Sequence, residues 1–301
     1  MRRMTVIGLL AVLAAAACGK AASPGPAPTT TGTDACAKQN LQLVTTGKLT
    51  VGTSNPAYPP YFRGAHTDDS PWKSNDPYTG KGFESAVAYA VARQLGFTHD
   101  EVQWVESPFN QSYAPGPKNW DFNIQQISYS KKRAEAVDFS DSYYNESEVL
   151  VAKEGTPIAN AKSISDLRPY KLAAPLGTTS YQIITDIIKP TKEPGGYQSL
   201  ADTVAAFNAG AVDGIIVDLP TGLYIADPYV QQAKKSVVVG QFPPQANSEY
   251  FGLTFVKGNP LRDCVNKALA ALKASGRLQA ITDLWLSKKT NVGEVPVFSN
   301  S

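Results

Sequence analysis

One basic residue in the sequence is placed to bind an anion. Arg133 ends the run Ser130-Lys131-Lys132-Arg133, and a serine three residues ahead of it is a typical helix N-cap that would aim the arginine inward. A guanidinium donates two parallel hydrogen bonds to a carboxylate, so Arg133 is suited to that partner. The alternative is a solvated basic run, which fits Lys131 and Lys132 well.

Two further segments carry polar groups that complement Arg133. Residues 176–180 (LGTTS) precede the helical run 181–188, so their N–H groups and hydroxyls lie at a helix N-terminus, where anions are stabilised. Asp218 ends the apolar strand 214–217, which places a carboxylate at the C-terminal end of a strand. Together with Arg133 they could hold a small molecule with one negative and one positive pole. A plain helix cap is the alternative for both segments.

The elements that must position these groups alternate between strand-like and helical patterns, as is typical of an α/β fold. Residues 82–95 (GFESAVAYAVARQL) place apolar side chains on one helical face, and Gly96 is suited to close that helix. Further helices are predicted after residue 177 and at 199–208, 260–275 and 277–288. Strands are predicted at or near residues 49–53, 101–105, 122–127, 150–153, 171–174, 214–217, 237–239 and 250–256.

Composition excludes several classes of protein. The 301 residues are 43% hydrophobic and can bury a sizeable core. The chain has 28 basic and 26 acidic residues, and the two become equal without Arg2 and Arg3, so a nucleic-acid partner is not expected. Since no Walker-type glycine-rich loop is present either, the chain is not expected to hydrolyse a nucleotide.

Cysteine and histidine are too few and too scattered for metal chemistry. The three cysteines are Cys18, Cys36 and Cys264, and the two histidines are His66 and His99. No two of these have metal-finger spacing, so neither structural zinc nor a histidine-centred triad is expected. We therefore predict no metal and no cofactor.

The N-terminus is typical of an export signal. After a basic start, the apolar run at residues 6–17 is shorter than the roughly 20 residues that span a bilayer. Residues 15–18 (AAAC) resemble a bacterial lipobox, which implies a signal peptide at 1–17 and a diacylglycerol on Cys18. An ordinary secretory signal is the alternative, and the choice between Sec and Tat export stays open. Residues 18–40 are interpreted as the acylated cysteine followed by a flexible tether, because 19–34 hold almost no large apolar side chain.

Acylation of Cys18 would leave two cysteines in an oxidising compartment. We predict that Cys36 and Cys264 form a disulfide, with two free buried thiols as the alternative. Such a bridge would tie both ends of the chain to one body and indicates a discontinuous lobe with the middle block inserted into it.

Five segments in order and spacing resemble one family: LTVGTSNPAYPPY, GKGFESAVAYAVARQLG, ISYSKKRAEAVDFSDSYY, LAAPLGTTSYQ and GAVDGIIVDLPTG. Over residues 48–287 the chain is similar to the amino-acid-type (family 3) extracytoplasmic solute-binding proteins of bacterial ABC importers. The resemblance implies a two-lobed periplasmic-binding-protein fold (type II), each lobe a mixed sheet flanked by helices, with two hinge crossings. The expected parts are lobe 1 at 41–148, lobe 2 at 149–248, a return to lobe 1 at 249–289 and a C-terminal tail at 290–301.

The resemblance also implies which residues bind the two poles of an amino acid. Arg133 would hold the carboxylate, although the family usually has Thr-Pro-Glu-Arg where this chain has Ser-Lys-Lys-Arg. Thr178 and Thr179 would donate to the same carboxylate from the second lobe, and Ser128 would donate from the first. Asp218 would hold the α-ammonium.

Further residues match the positions around the ligand's side chain. Tyr58 matches the aromatic residue that lies against it, with core packing as the alternative, and Phe109 resembles a pocket-wall position. Asn55 stands where the family often has a selecting acid, and Gln126 where glycine or serine is common. These departures leave the identity of the amino acid open.

The expected function is that of a monomeric receptor on the outer face of the cell membrane. Only its lipid anchor would contact the membrane. It would capture a polar amino acid, or a close analogue, in the cleft and deliver it to an ABC permease with its ATPase. It would not be an enzyme. The alternatives are a cyclohexadienyl-dehydratase-like enzyme, for which Glu84 is the available acid, and a sensor that does not transport. Trp72, in the long loop 63–81, would either cover the cleft mouth or fasten its own loop.

Overall fold

The computed structural model describes residues 34–65, 67–230, 232–244, 250–287 and 295–300. The predicted signal peptide, Cys18 and most of the predicted tether lie outside these residues. Every helix in the described part of the chain is too short or too polar to span a bilayer.

Strands in the described residues form two five-stranded sheets and one two-stranded ribbon. In chain order they are β1 (Leu49–Thr53), β2 (Val102–Glu106), β3 (Phe122–Asn123), β4 (Val137–Phe139), β5 (Tyr144–Asn145), β6 (Glu148–Lys153), β7 (Leu172–Pro175), β8 (Gly195–Tyr197), β9 (Gly214–Asp218), β10 (Ser236–Gln241), β11 (Tyr250–Phe251) and β12 (Thr254–Val256).

Helices cover both sheets. They are α1 (Phe83–Gln94), α2 (Lys131–Ala136), α3 (Thr179–Gln182), α4 (Leu200–Asn208), α5 (Leu219–Ile225), α6 (Leu261–Ala274) and α7 (Arg277–Thr282). Two of them continue as wider helical turns, α3 through Ile183–Ile188 and α7 through Asp283–Ser287.

The first sheet has the order β2-β1-β3-β12-β4 and is the centre of lobe 1. β1 pairs in parallel with β2 and β3, whereas β12, from late in the chain, is antiparallel to β3 and β4. All five residues of β1 are buried, which is typical of a strand covered on both faces. The core of this lobe includes side chains of α1, α6 and α7.

The second sheet has the order β10-β6-β9-β7-β8 and is the centre of lobe 2. Along β6, Leu150 and Ala152 belong to one apolar cluster, and Val149 and Val151 belong to another. Because successive side chains of a strand point to opposite faces, this sheet has a core on each side. Both sheets mix parallel and antiparallel pairs, as predicted.

The two-stranded ribbon connects the lobes. β5 follows β4 where the chain leaves lobe 1, and β11 precedes β12 where the chain returns to lobe 1. The two strands are antiparallel, with Tyr250 opposite Asn145 and Phe251 opposite Tyr144. The predicted strand at 250–256 is therefore wrong as a single element, because β11 joins the ribbon and β12 joins the first sheet. The predicted strand at 122–127 is also shorter, since only Phe122–Asn123 keeps the pairing.

A disulfide joins Cys36 to Cys264 on α6, with 5.3 Å between the Cα atoms. The predicted pairing is confirmed. The bridge closes a loop of 228 residues, and in the chain-entropy model a loop of that length contributes roughly 5 kcal/mol of stability.

The end of the chain packs on lobe 2, although α7 belongs to the core of lobe 1. The N–H of Gln241 donates to the Pro296 carbonyl at 2.8 Å, and the N–H of Phe298 donates back to Gln241 at 2.9 Å. The Phe298 ring is buried against Phe242, with 5.2 Å between the ring centroids. The chain thus passes from lobe 1 to lobe 2 once more after the ribbon.

Candidate functional site

A cleft of about 750 Å³ lies between the two lobes and receives side chains from both. Eight of the nine residues that the sequence predicts as ligand-binding line it: Asn55, Tyr58, Phe109, Gln126, Ser128, Thr178, Thr179 and Asp218. The ninth, Arg133, lies directly behind this surface, where only 7% of it is exposed. The structure therefore brings the predicted residues to one place, while their roles toward a ligand stay predictions.

Arg133 is positioned by the cap that the sequence predicted. The Ser130 hydroxyl accepts the N–H of Arg133 at 3.2 Å and begins α2. Lys131 and Lys132 are exposed on the same helix, whereas Arg133 is buried. The alternative of a solvated basic run is therefore correct for the two lysines and wrong for Arg133.

The guanidinium of Arg133 donates to two backbone carbonyls. Nη1 donates to Ser128 at 2.7 Å, and Nη2 donates across the cleft to Gly177 at 2.8 Å. Two aromatic rings flank the cation, since its Cζ lies 4.5 Å from the ring centroid of Tyr113 and 5.5 Å from that of Phe109. Burial lowers the pKa of Arg133, but a guanidinium starts from so high a pKa that the group stays a cation.

The segment before α3 combines capping with exposure to the cleft. The Thr178 hydroxyl accepts the N–H of Tyr181 at 3.1 Å, so Thr178 caps the helix and also lines the cleft. Gly177 has a positive φ of 78°, a conformation that glycine adopts without steric cost. Its carbonyl also accepts the hydroxyl of Tyr113 at 3.3 Å.

A buried carboxylate occupies the other side of this helix start. Glu148, at the beginning of β6, accepts the hydroxyl of Thr179 at 2.7 Å and that of Ser180 at 2.8 Å. The Thr179 hydroxyl also lies 3.2 Å from that of Ser128 in lobe 1. The side-chain oxygen of Thr179 is therefore engaged within the protein.

Asp218 forms the opposite corner of the cleft. Oδ1 accepts the N–H of Thr221 at 2.9 Å, and Oδ2 accepts its hydroxyl at 2.8 Å; the carboxylate thus caps α5 as well as lining the cleft. The hydroxyl of Tyr61, from lobe 1, donates to the same Oδ1. Burial raises the pKa of Asp218, and the bonds from Tyr61 and Thr221 partly offset this by favouring the ionised form.

Gln126 has a strained backbone that a buried acid supports. Its φ is +53°, a left-handed conformation that costs non-glycine residues about 1–2 kcal/mol. Glu84, fully buried on α1, accepts the N–H of Gln126 at 2.7 Å and the hydroxyl of Tyr143 at 2.5 Å. The Gln126 side-chain amide donates to the second oxygen of the same carboxylate. Burial raises the pKa of Glu84 to about 7.

The polar side chains at the far end of the cleft bind one another. Gln125 accepts the hydroxyl of Ser54 at 2.5 Å and donates to Asn123 at 2.7 Å. Asn55 donates to Glu106 at 3.2 Å and accepts the N–H of Lys73 at 2.9 Å. Asn55 therefore braces the long loop in addition to facing the cleft.

Trp72 is buried in the core of lobe 1 and is not among the residues that line the cleft. Of the two alternatives for this residue, the structure favours fastening of its own loop over covering of the cleft mouth. Among the described residues, no group of three or more metal-ligating side chains is arranged to hold a metal ion.

Residues 49–288 match the profile of the bacterial extracellular solute-binding proteins, family 3. The chain belongs to this family. Membership in family 3 places the chain outside the cytoplasm, and it accounts for the two-lobed fold.

Relatives within family 3 bind amino acids. The chain is 24% identical to the ABC transporter glutamine-binding protein GlnH of Bacillus subtilis (strain 168) over 292 residues, which cover 95% of this chain and 96% of that protein. It is 27% identical to the ABC transporter arginine-binding protein 1 of Escherichia coli (strain K12) over 209 residues, 68% of this chain and 81% of that one. Both relatives are binding proteins.

A solved structure agrees with the fold. The ancestral amino acid-binding protein AncCDT-1, a precursor of cyclohexadienyl dehydratase, matches with a TM-score of 0.64 and 25% identity, covering 80% of this chain and 95% of that one. The match supports the two-lobed architecture and a solute-binding role.

Several residues of the site were not predicted from the sequence, and three of them stand out by their bonds. Tyr61, Tyr113 and Glu148 each bond across the cleft or at its floor. Tyr61 had one signal, since it stands three residues after Tyr58 in the same proline-stiffened segment. Nothing in the local sequence around Tyr113 or Glu148 distinguishes them from ordinary loop and strand residues.

Proposed function

We propose that this chain is the substrate-binding component of an ABC importer and captures a polar amino acid between its lobes. One observation carries the proposal: Asp218 from lobe 2 lines a single cleft of about 750 Å³, and Arg133 from lobe 1 lies directly behind the opposite wall and bonds to Gly177, which also lines it. A cation and an anion on opposite walls match the carboxylate and ammonium of a free amino acid.

In this proposal the ligand's carboxylate takes the place of the Gly177 carbonyl on Arg133. Hinge opening moves Gly177 away with lobe 2 and frees Nη2 of the guanidinium. Closure then brings the N–H groups of Thr178 and Thr179, at the start of α3, to the same carboxylate. Ser128 adds a donor from lobe 1, and Asp218 receives the α-ammonium.

The side chain of the ligand lies toward Tyr58, Phe109, Asn55 and Gln126 in this proposal. Tyr58 and Phe109 supply flat apolar surface, and the two amides supply polar groups. Since relatives bind glutamine or arginine, a polar side chain is the class that we propose.

The position of Glu84 fits a binding protein better than an enzyme. A dehydratase needs a proton donor beside the leaving group, but Glu84 is fully buried, supports Gln126 and is not among the lining residues. Turnover of prephenate or arogenate by the purified protein would establish the enzymatic alternative instead.

A thermal-shift screen tests the binding function. The twenty amino acids, cystine and ornithine are added singly, and we expect at least one polar amino acid to raise Tm, because a ligand at a hundredfold excess over Kd stabilises by about 2.7 kcal/mol. Asp218→Asn should abolish the shift, whereas Asp186→Asn, exposed elsewhere on lobe 2, should keep it. The proposal fails if no compound shifts Tm or if Asp218→Asn binds as tightly as the wild type.

The membrane partners are tested separately. We propose that Cys18 carries a lipid and that the loaded receptor docks as a monomer on a permease coupled to an ATPase. Cys18→Ser should release the protein into the medium, and a cell lacking the receptor should lose uptake of the radiolabelled amino acid found in the screen. Retention of Cys18→Ser at the membrane would contradict the anchor. Unchanged uptake would favour a sensor.

A further inference from the structure

A tyrosine hydroxyl of lobe 1 reaches the proposed ammonium-binding acid of lobe 2. The hydroxyl of Tyr61 donates to Oδ1 of Asp218 and lies 3.2 Å from the hydroxyl of Thr221. Only 2% of Tyr61 is exposed, yet the residue lines the cleft. Its ring meets Phe251 edge to face, with 6.3 Å between centroids. The hydroxyl therefore points into the site from a packed ring.

The backbone of Tyr61 is held as firmly as its ring. Its carbonyl accepts the N–H of Glu84 at 3.0 Å in the first turn of α1. Gly82, before that helix, allows the close approach, because a Cβ there would lie 2.4 Å from the Tyr61 carbonyl oxygen. A side chain fixed at both ends can define the position of the group it bonds.

Because of the bond from Tyr61, the two carboxylate oxygens of Asp218 accept different numbers of hydrogen bonds from other residues. Oδ1 accepts both the Tyr61 hydroxyl and the Thr221 N–H, whereas Oδ2 accepts the Thr221 hydroxyl. A carboxylate oxygen has about two acceptor positions. Counting the donors from other residues, Oδ1 accepts two and Oδ2 accepts one, so Oδ2 is the oxygen better able to accept an N–H from a ligand in the cleft.

We propose that Tyr61 is a positioning residue of the ammonium site: its hydroxyl orients the Asp218 carboxylate from the opposite lobe and presents Oδ2 to the ligand. The inference rests on the proposed function, in which Asp218 receives the α-ammonium. Because Tyr61 and Asp218 belong to different lobes, the ammonium site is complete only when the lobes meet. Recognition of the ammonium is thus coupled to closure.

A purely structural bond between the lobes makes a different prediction. It would favour closure around every ligand equally, and its loss would weaken all ligands by the same factor. A positioning role concerns the ammonium alone, so its loss should reduce the advantage of ligands that carry this group.

Tyr61→Phe separates the two roles, because it deletes the hydroxyl and keeps the ring against Phe251. The probes are two pairs that differ only in the α-amino group: L-arginine with 5-guanidinopentanoate, and L-glutamine with 4-carbamoylbutanoate. Calorimetry gives the ratio of the two affinities in each pair. Tyr89→Phe is the matched control, because its hydroxyl bonds to Trp104 within lobe 1 at 3.3 Å.

We expect the ratio to fall roughly 10- to 150-fold in Tyr61→Phe, which is the factor that one hydrogen bond to a charged group contributes. The ratio should stay unchanged in Tyr89→Phe. An unchanged ratio in Tyr61→Phe, with both affinities lowered equally, would overturn the positioning role.

A measurement without ligand keeps the failure of the inference distinct from that of the proposed function. If neither pair binds the wild type, the proposed function fails for these amino acids, and small-angle X-ray scattering of the protein alone then tests the bond between the lobes without which the inference cannot stand. We expect Tyr61→Phe to have a larger radius of gyration than the wild type, because a bond between the lobes is lost. Identical scattering of the two proteins would overturn it.

Discussion

The guanidinium of Arg133 reaches from lobe 1 to the carbonyl of Gly177 in lobe 2, with 2.8 Å between Nη2 and the oxygen. The residue that the proposed function assigns to the ligand's carboxylate thus already bonds an acceptor on the far wall. In the proposed function this acceptor moves with lobe 2, so hinge motion would exchange the Gly177 carbonyl for the carboxylate of the ligand.

Loss of this guanidinium should weaken binding strongly. In Arg133→Ala we expect the amino acid found in the screen to lose about 2–5 kcal/mol of binding free energy, because its carboxylate would be buried without a cation. Titration calorimetry measures the change. Lys132→Ala, exposed on the same helix, is the control and should bind normally. Wild-type affinity in Arg133→Ala would show that the carboxylate is held elsewhere.

The buried acid Glu84 should make stability depend on pH. Its pKa is raised to about 7 by burial, so the folded state keeps a proton that the unfolded chain releases near its ordinary value of about 4.5. The stability that the buried, protonated Glu84 contributes is therefore fully present below about pH 4.5. It is lost as the pH rises through about 7. The hydroxyl of Tyr143 and the amide of Gln126 face the carboxylate, and the charge on Asp218 adds to the shift.

Denaturant unfolding between pH 4.5 and 8 checks this expectation. The wild type should lose roughly 3 kcal/mol relative to Glu84→Gln over that range, since each pKa unit corresponds to about 1.4 kcal/mol. Glu154→Gln, at an exposed position, should follow the wild type. Parallel curves for the wild type and Glu84→Gln would mean that the carboxyl titrates near its ordinary pKa.

The left-handed backbone at Gln126 should make a glycine variant more stable than a valine variant, the reverse of the order expected in a strand. Gln126→Gly should be more stable than Gln126→Val by about 1–2 kcal/mol, because both lose the same side-chain bond and only glycine adopts a positive φ freely. At Gln103, in the extended strand β2, valine should be the more stable. Equal stability of the two Gln126 variants would show that the loop relaxes to an ordinary conformation.

The C-terminal tail should stabilise lobe 2. Phe298→Ala removes a ring that packs against Phe242 and is only 4% exposed. Such truncations lower the free energy of unfolding by about 3–5 kcal/mol. Val297→Ala, where 56% of the side chain is exposed, should change the free energy of unfolding by less than about 0.5 kcal/mol. Hydrogen exchange at β10 would locate the effect, and unchanged exchange there in Phe298→Ala would contradict it.

Local patterns predicted the elements and much of the site, because their causes are local. Helix α1 begins and ends within one residue of the range predicted from its apolar face and flanking glycines. Ser130 caps α2 as its spacing to Arg133 predicts. The order of motifs then predicted that Arg133 and Asp218 lie near one cleft, and the pairing of Cys36 with Cys264 followed from their number and compartment.

Features that depend on distant partners could not be predicted this way. The apolar run 250–256 reads as one strand, and only the presence of β5 and β4 divides it between two sheets. The bond from Tyr61 to Asp218 joins residues 157 positions apart, so no local pattern carries it. The same holds for Gly177 as the acceptor of Arg133.

The return of the chain to the second sheet determines what a label at its end would report. A fluorophore or affinity tag placed behind Phe298 would travel with β10, although the preceding helix α7 packs in the other half of the molecule. Paired with a dye on α1, such a label would follow hinge bending directly.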